Sequence, residues 1–136
     1  MNAMADEIDN RKYSNAKQFS FTILFLWGIS IGFVCYLSME PNVELPISFR
    51  WDDVVYHFCA YLWLSFLPFI GYRSVQDAWI AALLMISLGI GLEFGQHFVP
   101  LRVFSITDIA ANSCGAIGGS IVGCYIRSIV KIKRGD

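Results

Sequence analysis

Six side chains able to move protons, hold ions or form charged hydrogen bonds stand within or beside otherwise apolar stretches: Asp53, His57, Glu93, Gln96, Asp108 and Asn112. Arg102 lies in the segment between the last two stretches, and Tyr61 follows His57 by four residues. Asp53, His57 and Tyr61 are spaced by four, Glu93 and Gln96 by three, and Asp108 and Asn112 by four, so each set shares one face of a helix. His57 has the chemistry of a general base oriented by a carboxylate. The Arg102 guanidinium can fork onto Glu93 or Asp108, or hold a phosphate. Asp108 follows the Ser105 and Thr107 hydroxyls at a helix start, where free amides favour an anion. No serine or cysteine nucleophile motif accompanies His57, and no HExxH or other tight metal-ligand spacing occurs. His57 is therefore a candidate base only, and no catalytic residue, metal or cofactor is assigned.

The elements that must position these groups are read from hydropathy. The chain has 136 residues, 56% hydrophobic and 15% charged, with a mean hydropathy of +0.54. That composition belongs to membrane proteins. Four apolar runs, residues 19–38, 54–72, 78–99 and 106–130, each approach the roughly 20 residues needed to cross hydrocarbon. The expectation is an all-α, polytopic bundle of four transmembrane helices. Residues 1–18 read as a frayed polar tail, residues 19–130 as the membrane domain and residues 131–136 as a basic tail. The basic residues before the first run resemble a signal peptide's, but no small-residue cleavage site follows, which favours an uncleaved helix. A net charge of −1 leaves no basic stripe for nucleic acid. The four cysteines lie inside apolar runs and form no CxxC pair, which reads as small apolar packing.

Eight of the ten Lys and Arg residues fall in the N-terminal segment, the second loop and the C-terminal end; only Arg50 and Arg102 fall in the first and third loops. The positive-inside rule then expects both termini in the cytoplasm and the polar cluster on the extracytoplasmic side. Trp51 and Phe98 suit an aromatic belt at that interface, and His97 reads as interfacial. Small residues every four positions allow close helix approach: Ala111, Gly115, Gly119 and Gly123 on the fourth run, Gly91 and Gly95 on the third, Gly28 and Gly32 on the first. On this pattern the fourth helix is expected to be the central one.

Three stretches carry a resemblance. Asp53-Val-Val-Tyr-His57-Phe-Cys-Ala-Tyr61, Glu93-Phe-Gly-Gln96-His-Phe-Val-Pro-Leu-Arg102 and Ser105-Ile-Thr-Asp108-Ile-Ala-Ala-Asn112-Ser-Cys-Gly115-Ala-Ile-Gly118 resemble the motifs of the VanZ-like membrane proteins. The resemblance covers roughly residues 51–123. One departure is Val54, where such proteins often have Lys after the aspartate. The resemblance implies a multi-pass protein of the bacterial cytoplasmic membrane, tied to the cell envelope and in some members to lowered susceptibility to the glycopeptide teicoplanin. It implies no established reaction.

Three functions remain open on the residues. A polar cleft of Asp53, His57, Tyr61, Glu93, Gln96, Arg102, Asp108 and Asn112 would bind a lipid head group, glycolipid or glycopeptide-type ligand. A membrane-embedded hydrolase or transferase on a lipid-linked substrate would use His57 as base and Arg102 on phosphate. A structural or accessory subunit would use the polar groups as a lock and pack through Gly115, Gly119 and Gly123.

Overall fold

The computed structural model describes residues 2–40, 52–100 and 104–134. These form four helices: α1 Asn2–Met39, α2 Asp52–Gly71, α3 Val75–Gln96 and α4 Ile106–Arg134. Each contains a segment long and apolar enough to span a membrane. The protein is thus an all-α, four-helix multi-pass bundle.

Local sequence explains the helix ends. Ser74 caps α3, its side chain accepting from Asp77 N at 3.3 Å, and Asp77 adds negative charge to the first turn. Ser105 does the same for α4, accepting from Asp108 N at 3.3 Å. Within the apolar spans, Thr22 and Ser30 donate to Gln18 O and Leu26 O one turn back, so their hydroxyls need no water.

Residues 2–18 are helical and continue α1, correcting the expectation of a frayed tail. Ala, Glu, Arg, Lys and Gln in this stretch are strong helix formers, and Glu7 and Arg11 pair at 2.5 Å one turn apart. At about 1.5 Å per residue the 38 residues reach roughly 57 Å, well beyond a hydrocarbon core of about 30 Å. Likewise α4 continues through Arg134 rather than ending where a basic tail was expected.

The centre of the bundle is α2, not α4. α2 packs against all three other helices, whereas α4 packs on α2 and α3 and leaves Ile117, Ile121, Val122 and Tyr125 exposed on its outer side. The fully buried core is correspondingly rich in α2 residues: Tyr61, Leu64, Leu67 and Phe69, joined by Met85, Ala78 and Ala82 of α3 and Ala116 of α4. The glycine ladder of α4 explains why it was mistaken for the centre. It marks close approach to one neighbour. A Cβ at Gly115 would overlap Phe58 O, one at Gly119 would overlap Leu62 O, and one at Gly123 would lie 2.9 Å from the Phe69 side chain. The same spacing elsewhere does not mean contact: Gly28, Gly32 and Gly91 have nothing within 4 Å of a built Cβ.

One of the hydrogen bonds between α1 and α2 answers a break in the α2 backbone. Pro68 lies inside α2 and has no N–H for the Leu64 carbonyl one turn earlier. The Trp27 indole N–H donates to that carbonyl at 2.7 Å. An unpaired carbonyl in lipid is costly, so the proline break and the α1 tryptophan form one unit.

The bundle has two distinct ends. At one, Arg73 stacks on the Tyr13 ring at 4.7 Å, and Arg127 of α4 donates to Phe69 O at 3.1 Å, Tyr72 O at 2.6 Å and Arg73 O. Arg127 therefore closes the carboxyl end of α2 with charge and hydrogen bonds. The polar residues singled out by sequence gather at the opposite end.

Candidate functional site

The site is built from the first turns of α2 and α4 and the last turns of α3. His57 is half-buried and its Nδ1 lies 3.0 Å from Asn112 Oδ1 across the α2–α4 contact. An amide oxygen only accepts, so Nδ1 is the donor in this pair and Nε2 lies outside it. Asn112 is itself 2% exposed. It fits because Gly89 of α3 has no side chain: a Cβ there would stand 3.0 Å from the Tyr61 ring and 3.1 Å from Asn112.

Glu93 is 1% exposed, and its Oε1 accepts from Ser105 N at 2.6 Å. Ser105 thus does two tasks. Its amide binds the α3 carboxylate while its hydroxyl caps α4, at 2.6 Å from Thr107 Oγ1. Asp108, half-buried on the first turn of α4, completes the group. One ligating atom each from His57, Glu93 and Asp108 lies within 4.8 Å of the other two. Three helices thus deliver an imidazole and two carboxyl groups to one point.

The remaining residues take different places. Gln96 turns toward α1, its Nε2 donating to Ser38 O at 2.9 Å and Ser38 Oγ at 2.7 Å. It ties α3 to α1 rather than joining the trio. Asp53 is exposed at the start of α2. Tyr61 is buried one turn below His57, in the apolar core with Leu64 and Met85, and its hydroxyl has no hydrogen-bond partner among the described residues. Arg102 and Trp51 lie outside the described residues. Phe98 is 84% exposed and His97 is exposed beyond the end of α3.

An apolar groove of about 420 Å³ opens between α2 and α4 beside this group, lined by Val54, Val55, Phe58, Thr107, Ala110, Ala111 and Cys114. Val54, Phe58, Thr107 and Ala111 are the chain neighbours of Asp53, His57, Asp108 and Asn112. One helix pair therefore presents polar groups on one face and an apolar trough on the next. The four cysteines are all free thiols, with Cys59 and Cys114 exposed.

Some of these partners leave no trace in local spacing. Ser105 N on Glu93, Ser38 on Gln96 and Gly89 beneath Asn112 are contacts between helices. The partner that Pro68 leaves to Leu64 O, the Trp27 indole, is likewise a contact between helices.

No family model, curated protein or solved structure matches this chain.

Proposed function

We propose that this protein is a VanZ-like membrane protein that binds an envelope lipid or lipid-linked ligand at the extracytoplasmic end of its bundle. The observation that carries the reading is the groove between α2 and α4. It has the volume of small-molecule sites, about 300–1,000 Å³, an entirely apolar set of walls apart from Thr107, and a polar group along its border. An acyl chain suits the trough, and a polar or anionic head group suits His57, Asp108 and the amino end of α4. Orientation rests on the distribution of Lys and Arg, which favours a cytoplasmic location for the end that carries Tyr13, Arg73 and Arg127. Membership rests on the three motif stretches.

The test is lipid retention. The full chain is purified in mild detergent from a bacterial membrane, and the bound lipids are identified by native mass spectrometry. Ala110→Phe fills the groove from an exposed wall position and should abolish retention, while Gly118→Ala, away from it, should not. Retention of the same lipids by Ala110→Phe would refute the groove reading. Expression in a sensitive host, scored for teicoplanin susceptibility with and without Ala110→Phe, tests the glycopeptide arm separately.

A further inference from the structure

We infer that His57, Glu93 and Asp108 form a binding site for a divalent transition-metal ion such as Zn²⁺ or Mn²⁺. The inference deepens the proposed function, because a cation there would hold the anionic part of a lipid ligand. Its test uses the metal alone, so the two stand or fall separately.

The first argument is convergence. The three ligating atoms come from three different helices and lie within 4.8 Å of one another. A point equidistant from three atoms spaced by that distance lies about 2.8 Å from each, so side-chain shifts under about 1 Å give the 2.0–2.2 Å of Zn–N and Zn–O bonds. The second argument is the supporting hydrogen bonds. A metal-bound histidine characteristically donates its other N–H to a fixed acceptor, and a bound carboxylate is itself hydrogen-bonded. Here Asn112 Oδ1 takes His57 Nδ1–H and leaves Nε2 to ligate, while Ser105 N holds Glu93 Oε1.

The donor set indicates the class of ion. One imidazole with two carboxylates suits Zn²⁺, Mn²⁺ or Fe²⁺, and the nitrogen disfavours Mg²⁺ or Ca²⁺. Three protein ligands leave coordination positions open, as in sites where a metal meets water or a ligand oxygen. The position beside the groove of α2 and α4 is where a phosphate or carboxylate of a lipid would arrive.

The test is calorimetric titration of ZnCl₂, MnCl₂ and MgCl₂ into the EDTA-stripped full chain in detergent, with bound metal counted by elemental mass spectrometry. One saturable equivalent of Zn²⁺ or Mn²⁺ and none of Mg²⁺ is expected. His57→Gln and Asp108→Asn should each weaken binding at least about 100-fold, and Asn112→Ala, which only orients the ring, about tenfold. Zn²⁺ should raise the melting temperature of the wild type and leave that of His57→Gln unmoved, which separates lost ligation from lost folding. A Cys59→Ser, Cys114→Ser double variant should bind as the wild type does. Three results would overturn the inference: no saturable metal in the wild type, binding that survives His57→Gln, or binding that disappears with the cysteines.

Discussion

Gly115→Ala is the most revealing single perturbation of this bundle. A methyl at Gly115 would overlap the Phe58 carbonyl oxygen and crowd Leu62 N at 3.1 Å. Ordinary Cβ contact begins at 3.4 Å, so α4 must back away from α2 by about 1 Å. Phe58 adjoins His57, and Asn112 lies three residues before Gly115, so the shift acts directly on the 3.0 Å His57–Asn112 bond. An added ångström takes that pair beyond hydrogen-bonding distance, about 3.5 Å. Overpacking of this kind costs about 1–3 kcal/mol. The internal control is Gly118→Ala on the same helix, where a Cβ meets nothing within 4 Å. Helix propensity favours that change by about 0.5–1 kcal/mol, so it should be neutral or slightly stabilising. Stability is read by SDS titration in mixed micelles followed by helicity, and the His57 hydrogen bond by imidazole nitrogen NMR. Equal stabilities for the two variants, or an unchanged His57 signal in Gly115→Ala, would refute the argument that the α2–α4 approach builds the site.

Three further outcomes follow from the same geometry. Trp27→Phe should destabilise by about 1 kcal/mol in the wild type by stripping Leu64 O of its donor, and by less in a Pro68→Ala background, where an alanine N–H serves that carbonyl; a double-mutant cycle in micelles reads the difference. Arg127→Gln should cost about 1–3 kcal/mol in the same unfolding assay, because the charged cap on the carboxyl end of α2 is lost. Gly89→Ala should disturb the site with little effect on insertion, since its methyl presses on Tyr61 and Asn112; hydrogen exchange at the first turns of α2 and α4 should rise while overall helicity holds.

Much of this architecture is visible along the chain because the hydrocarbon imposes it. Apolar run length marks the spans, and the Ser105 hydroxyl marks where the fourth begins, whereas α3 starts at Val75, behind the Ser74 cap and ahead of its apolar run. Faces are legible too: periodicity puts His57 one turn above Tyr61, and Asp108 one turn from Asn112. What periodicity cannot show is which faces meet. Gly28 and Gly32 have the same spacing as Gly115 and Gly119, yet the first pair meets open space and the second meets α2 backbone. Gln96 shares a helical face with Glu93 and still turns to Ser38, because α1 ends within its reach. The His57–Glu93–Asp108 trio spans three helices, so a search for tight ligand spacing in the sequence passes over it. Residues 2–18 misled for another reason. Polarity signalled an end to the span, whereas helix propensity carried the helix on.

The arrangement of partners along the chain also sets an order of assembly. His57 waits for Asn112, 55 residues later, and Tyr72 O waits for Arg127 over the same separation. Both ends of α2 are therefore completed by α4, a helix made after it. A nascent chain holding α1, α2 and α3 but not yet α4 has α2 without the Asn112 partner of its imidazole at one end and without Arg127 on its carbonyls at the other. Docking of α4 along its glycine face closes both together, so translation past the fourth span works as a single completion step.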